Sequence, residues 1–236
     1  MLITVVVPAY NEEKYIVKTL ESVKNLEHDN FDIEIVVING SSTDNTEDLA
    51  SKNGARVITV PKIGIGFSRQ KGLQEARGEI VAFTDADSIV PKDWLIKHVE
   101  LLKKSGAVGS FGPYNVIETD GKTLFSIYIN KGYLLLRCLP VKLKLFFASG
   151  QNIVMWKNKA IDAGGFDKSL KVMEDVDIML RLARVGKVAW ADKVIVQASG
   201  RRSNEGLSFL ARGLKTSFNY YFLRKRGDLD IFPDYR

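Results

Sequence analysis

The chain is poor in cysteine. Cys138 is the only one among 236 residues, so no intrachain disulfide can form and no cysteine cluster can hold a metal. That usage is compatible with a reducing compartment. The chain also lacks any run of about 18 or more uncharged apolar residues, the length that a membrane-spanning helix needs. Its opening segment, Met1-Leu2-Ile3-Thr4-Val5-Val6-Val7-Pro8, has no basic stretch of the kind that begins a signal peptide, and it reads as a strand. Nor does one sign of charge dominate. The 34 basic residues face 28 acidic ones, and a net charge of +6 does not call for nucleic acid as a partner. These absences are compatible with the expected cytoplasmic location, and the length suits one domain with a large core.

What is present is an alternation of strand and helix patterns. Residues 2–7 are apolar and largely β-branched, the turn Pro8-Ala9-Tyr10-Asn11-Glu12 follows, and residues 13–25 place Tyr15, Ile16, Leu20 and Val23 at helical spacing. A second strand is expected over residues 33–38, ending in the turn-forming run from Asn39 to Thr46. There Asp44 and Glu47 have the spacing of a capping box for a helix to about Ser51. A third strand over 56–60 stops at Pro61, residues 64–77 become helical toward their end, and a fourth strand covers 79–84. Such an alternation implies a parallel, Rossmann-like half. Parallel connection brings Tyr10-Asn11-Glu12, Asn39-Gly40-Ser41 and Asp85-Ala86-Asp87 to one sheet edge, the edge where open α/β sheets bind ligands.

The last of these turns has the clearest chemistry. A buried run, Val81-Ala82-Phe83-Thr84, ends in two carboxylates at i and i+2, Asp85 and Asp87. Acids so spaced on an extended chain point the same general way and can offer oxygens to a hard divalent cation, which in turn can hold a diphosphate. The same spacing also suits a solvated turn or a helix cap.

Beyond Pro91 a further helix and a strand over 107–114 are expected, after which the alternation loosens. Residues 124–148 interleave leucine, valine and phenylalanine with Arg137, Lys142 and Lys144, with Pro140 interrupting any continuous helix. This stretch is either core with basic solvent positions or a segment that lies on a membrane or covers a lipid acceptor. Gly164-Gly165-Phe166-Asp167 forms a turn, and Met173-Glu174-Asp175-Val176-Asp177 opens a helix whose early acids complement its dipole. Short strands are expected over 188–190 and 194–197. The tail over 207–226 has apolar residues at spacings of three and four. Residues 201–226 hold seven basic residues and one acid, so a helix there either docks on its own domain or meets a membrane surface.

In order, the motifs at 8–12, 39–46, 64–72, 85–87, 164–167 and 174–175 resemble those of family 2 inverting glycosyltransferases of the GT-A fold, over roughly residues 3–202. The resemblance implies an α/β fold, Rossmann-like, with a mixed, mainly parallel sheet flanked by helices. It implies one domain over 1–202, with a nucleotide-sugar-binding half over about 1–112 and an acceptor half over 113–202; a basic amphipathic helix and tail follow over 203–236. It implies that Pro8, Tyr10, Glu12 and Asn39 line the base and ribose pocket and that Asp85 helps hold the nucleotide. Asp87 would bind Mg²⁺ or Mn²⁺ bridging the diphosphate. Arg69 would lie near that diphosphate, Arg201 and Arg202 would close over it, and Asp175 would be the general base. Two departures stand out. Asn39 occupies a position where the family usually has aspartate, which bears on a uridine preference, and Ser68-Arg69-Gln70 replaces the commoner Ala-Arg-Asn.

The expectation is therefore a metal-dependent enzyme that moves a hexose from a UDP- or GDP-sugar to a hydroxyl of a glycan or lipid-linked acceptor. It would serve cell-envelope polysaccharide or glycan biosynthesis, peripheral on the inner face of the cell membrane. Transfer to a polyprenyl phosphate, which is already ionised and needs no base, is the alternative within the class. A sugar-phosphate nucleotidyltransferase is the alternative outside it, although the glycine-rich basic loop expected after the first strand is replaced by Ala9-Tyr10-Asn11-Glu12.

Overall fold

The computed structural model describes residues 1–28, 30–117, 137–200, 215–216 and 219–221. Strand β1 (Leu2–Ala9) lies at the middle of a seven-stranded sheet. Around it stand β2 (Asp32–Asn39), β3 (Arg56–Thr59), β4 (Ile80–Phe83), β6 (Gly109–Phe111), β8 (Ile153–Trp156) and β9 (Val188–Trp190), in the order β3-β2-β1-β4-β8-β6-β9. Only β8 runs antiparallel to its neighbours. A second sheet joins β5 (Ser88–Ile89), β10 (Val196–Ser199) and β7 (Tyr114–Ile117), in the order β5-β10-β7.

The run of β-branched residues in β1 is buried on both faces, which is what a central parallel strand requires. Alternate residues therefore feed two cores. Ile3, Val5 and Val7 pack with α1 (Ile16–Lys24), α2 (Thr46–Lys52) and α4 (Trp94–Ser105). Val6, Val36 and Ile38 pack on the opposite face with α3 (Ile65–Glu75), α6 (Lys157–Asp162) and α7 (Glu174–Val185). The short α5 (Val141–Lys144) and a 3₁₀ turn (Leu145–Phe147) precede β8. In α1 the buried positions are Ile16, Thr19, Leu20 and Val23, one stripe of a 3.6-residue period. Helix α3 lies unusually close to the sheet: a Cβ on Gly72 would stand 2.2 Å from Val6 Cγ1.

Four local expectations change. The stretch expected as one strand over 107–114 is divided at Gly112-Pro113 into β6 and β7, which belong to different sheets. Pro113 has no N–H for the ladder, and a Cβ on Gly112 would stand 2.5 Å from Asn152 Nδ2. The expected capping box is absent, because Glu47 turns to Asn39 and Thr59. The strand expected over 194–197 is β10, displaced to Val196–Ser199. Finally, β8 has no counterpart in the sequence pattern, yet it joins β4 to β6 and makes the two expected halves share one sheet. The expected tail helix falls mostly outside the described residues, as do Arg201 and Arg202. Among the described residues no helix is long and apolar enough to cross a membrane.

Candidate active site

The three polar turns meet at one sheet edge because β1, β2 and β4 are parallel and in register, Ala9 beside Asn39 and Val6 beside Phe83. The first two turns are tied together. Gly40 N–H donates to Ala9 O (2.8 Å), Asn11 N–H to Ser42 Oγ (3.0 Å), Thr43 N–H to Asn11 Oδ1 (2.8 Å) and Glu12 N–H to Thr46 Oγ1 (2.7 Å). Among the described residues three non-glycine residues have left-handed backbone: Asn11 (φ 51°), Ser41 (φ 57°) and Met173 (φ 64°). All three flank this edge or the start of α7, and methionine has no side-chain compensation for that conformation, which costs on the order of 1–3 kcal/mol. Strain held at Met173 directs Glu174 and Asp175 from the first turn of α7.

Arg69 joins the acidic turn to that helix. Its guanidinium pairs with Asp85 Oδ1 at 2.7 Å through Nη2 and with Glu174 through Nη1. The arginine side chain is 3% exposed, whereas that of Asp85 is 36% exposed and remains open to a ligand. The guanidinium lies flat against Gly150, where any Cβ would come within 1.8 Å of Nη1. Gly150 N–H in turn donates to Asp175 Oδ2 (2.9 Å), and Val176 N–H donates to Asp175 Oδ1 (2.7 Å). One glycine thus makes room for the cation and orients the neighbouring carboxylate.

Three carboxylates around one guanidinium leave an excess of negative charge in a poorly solvated place. Burial raises the pKa of Glu174 to about 8; Arg69 opposes this, while Asp175 and Asp85 add to it. Burial likewise raises that of Asp175, against the opposing Arg69 and the two amides that hold it. For Arg69, burial would lower the value, but Glu174, Asp85 and Asp175 together outweigh it and keep the side chain charged. Next along α7, Asp177 accepts from Arg181 Nε (2.8 Å) and from the Tyr220 hydroxyl (2.7 Å). The Tyr221 hydroxyl is buried with no hydrogen-bond partner among the described residues, and burial together with the charge of Asp175 raises its pKa.

The loop before β8 is fixed from behind. Asn152 Oδ1 accepts from Trp94 Nε1 (2.9 Å) and His98 Nε2 (3.0 Å), and its Nδ2 donates to Pro113 O and Val194 O (2.8 Å each). Because that oxygen can only accept, His98 carries its proton on Nε2, and Nδ1 accepts from the Ser110 hydroxyl at 2.7 Å. Burial lowers the His98 pKa to about 4, with Asn152 opposing in part, so the ring is neutral.

The remaining residues singled out by sequence differ in their access. Asp87 is half-buried and lines a cleft of about 20 Å³ with Tyr15, Lys18, Thr19, Ile89, Ile117 and Ser199. Tyr10 is half-buried, with Lys62 Nζ 3.9 Å from its ring centre. Pro8 is buried in β1 opposite Ile38, beyond the last pairing with β4, so its missing N–H interrupts no ladder there. Glu12 is 2% exposed, and Asn39 is fully buried. Asn39 organises its own loop: Nδ2 donates to Glu47 (2.8 Å) and Thr59 (3.2 Å), and Oδ1 accepts from Ser42 N–H (3.1 Å) and its hydroxyl (2.6 Å). An aspartate here would meet Glu47 with like charge. The sequence pattern did not single out Gly150, offered Glu47 only as half of a capping box and Tyr221 only as an apolar position of the tail, and gave Glu174 no part in holding Arg69. The acid run at the start of α7 was the one available signal.

A seven-stranded, mainly parallel sheet with its ligand edge built from these turns defines an α/β protein of the GT-A type. The fold agrees with two solved structures. One is TarS of S. aureus in complex with UDP-GlcNAc (TM-score 0.67, 20% identity, covering 93% of this chain and 67% of that one). The other is the mannosyltransferase PcManGT from Pyrobaculum calidifontis in complex with GDP-Man and Mn²⁺ (TM-score 0.72, 20% identity, 97% and 66%). The model of Glycosyl transferase family 2 matches residues 4–163, and the chain belongs to that family. Among curated relatives, TuaG of Bacillus subtilis (strain 168), provisionally assigned to teichuronic acid biosynthesis as a glycosyltransferase, is 33% identical over 129 residues. That match covers 52% of this chain and 50% of TuaG, and the chain spans half or less of the curated relatives it matches first.

Proposed function

We propose that the chain is a metal-dependent inverting glycosyltransferase that moves a hexose from a nucleotide diphosphate-sugar to a hydroxyl of a glycan or lipid-linked acceptor. The observation that carries this reading is the Arg69 bridge. It holds the acidic turn after β4 next to the first turn of α7, so a donor seated at Asp85 and Asp87 faces Asp175. Complexes of the solved relatives with UDP-GlcNAc and with GDP-Man and Mn²⁺ support the donor class.

Asp175 is the general base. Burial raises its pKa and so makes it more basic than a solvated aspartate, while its two amide donors fix its direction and partly oppose that rise. It takes the proton of the acceptor hydroxyl as that oxygen attacks the anomeric carbon, and the nucleoside diphosphate leaves from the opposite face. Arg69 positions Asp85 and Glu174. Its guanidinium is engaged by these carboxylates, so it influences the diphosphate through Asp85 rather than by contact. Pro8, Tyr10, Glu12 and Asn39 shape the base and ribose side of the donor, with Asn39 acting through the loop that it organises. Arg201 and Arg202 lie outside the described residues; their proposed part is to offer positive charge to the diphosphate.

Among the described residues no three His, Cys, Asp or Glu side chains converge to hold a metal by themselves. The hard oxygens of Asp87, half-buried at the donor edge, suit Mg²⁺ or Mn²⁺, and Asp87 would hold such an ion. Such an ion would neutralise charge on the leaving diphosphate.

A thermal-shift screen of UDP, GDP and their sugars, with and without Mn²⁺, tests the donor and the metal together. One nucleotide should raise the midpoint, and more so with Mn²⁺. No shift with any of them would sink the reading. If transfer persists in Asp175→Asn, the acceptor is a phosphate that needs no base.

A further inference from the structure

The segment 137–147 is turned inside out for a protein surface in water. Lys144 and Leu145 are the inward residues, 6% and 4% exposed, with Lys144 Nζ donating to Arg137 O and lying 5.1 Å from the Trp190 ring centre. Leu139, Val141, Leu143, Phe146 and Phe147 face outward at 36–50% exposure. These are five of the eight exposed large hydrophobic residues among those described, and the other three, Ile63, Ile161 and Val185, are far from one another in the chain. Scattered apolar side chains are ordinary on a surface, but five in nine residues, bought into place by a buried lysine, are not.

Basic residues outnumber acids along this stretch. Residues 121–150 contain five basic residues and no acid; Arg137 pairs with Asp192 at 3.0 Å, and Lys142 is exposed between Val141 and Leu143. Tyr221 of the C-terminal segment borders the patch: Phe146 packs edge-on against it, with ring centres 5.0 Å apart and planes at 70°. By sequence, residues 201–226 carry seven basic residues and one acid, most of them outside the described residues. Exposed apolar side chains set among basic ones match the two attractions of an anionic bilayer, burial below the headgroups and charge at them.

We propose that Leu139, Val141, Leu143, Phe146 and Phe147 form a docking surface for an anionic lipid bilayer. The surface is joined to the acceptor side of the candidate active site, because Tyr220, beside Tyr221, hydrogen-bonds Asp177 on α7. Docking there brings Asp175 toward the lipid surface, where a lipid-linked acceptor would present its hydroxyl. This last point rests on the glycosyltransferase reading; the lipid binding does not.

The test is sedimentation of the full chain with vesicles of phosphatidylcholine alone or with about 30% phosphatidylglycerol. The wild type should sediment with the anionic vesicles, and less as salt is raised from about 0.1 M to about 0.5 M. The double variant Leu143→Asp/Phe147→Asp should bind at least roughly tenfold more weakly, since it places two charges at positions that enter the lipid. Both side chains are about half exposed, so its thermal unfolding should match that of the wild type. Failure of the wild type to sediment overturns the proposal, as does equal sedimentation of wild type and variant. A wild-type dimer in light scattering that the variant abolishes, without vesicle binding, assigns the patch to a second copy and overturns it too. The donor thermal shift needs no lipid, so failure of either reading is separately visible.

Discussion

Replacing Arg69 with methionine tests the central arrangement. Methionine keeps much of the side-chain volume but leaves Glu174, 4% exposed, facing Asp85 and Asp175 without the cation that offsets them. Removing one partner of a buried ion pair costs about 3–5 kcal/mol when the other must stay charged. The cost depends on pH. Glu174 has a folded pKa of about 8 against an ordinary 4.5, so near pH 5 it is neutral in the folded wild type and variant alike. There the variant loses packing, hydrogen bonds and the pair with the partly exposed Asp85, about 1–2 kcal/mol in all. As pH rises through about 8, the wild type ionises Glu174 beside Arg69 while the variant must hold it neutral or charged and unpaired, so the deficit grows toward the larger figure. Urea unfolding of both proteins at about pH 5, 7 and 8.5 measures this. Arg69→Lys restores a charge but cannot reach both acids with a planar fork, and it should fall between the two. A deficit of the same size at every pH would refute the argument.

Other outcomes follow from the same geometry. Asp175→Asn should lower kcat by roughly 10²–10⁴-fold while the nucleotide thermal shift persists, as steady-state kinetics beside the binding screen would show. Gly150→Ala should destabilise by about 1–3 kcal/mol, because its Cβ falls within 2.0 Å of three guanidinium atoms. In the Arg69→Met background that cost should shrink, and a double-mutant cycle that finds strict additivity would count against the contact. His98, with a folded pKa of about 4 against 6.5, contributes stability that is fully present above pH 6.5 and is lost as pH falls toward 4. The loss amounts to about 3 kcal/mol, and His98→Gln should remove that part of the acid dependence in urea unfolding.

Much of this architecture can be read along the chain. The alternation of β-branched runs with helical stripes locates β1 to β4 within two residues and α1 within three, because periods of 2 and 3.6 are set by near neighbours. Turn residues mark the ends of β1, β2 and β4, and parallel connection alone brings those ends to one edge. The weaker reading lay where local pattern competes with tertiary demand. Gly112-Pro113 looked like the inside of a strand until Asn152 needed the space, and Glu47 looked like a cap until Asn39 took its carboxylate.

The sequence by itself determined which residues could do chemistry: the acids after β4, the acids opening α7, and a lone arginine in α3. Only the tertiary structure decided how they meet. Arg69 reaches Glu174 across 105 residues of chain, and it does so because β8 brings Gly150 beneath its guanidinium and Met173 accepts a left-handed turn. No local period encodes such contacts. They exist because packing the helices on the sheet leaves one place for the guanidinium, and the buried charge then requires the carboxylates around it.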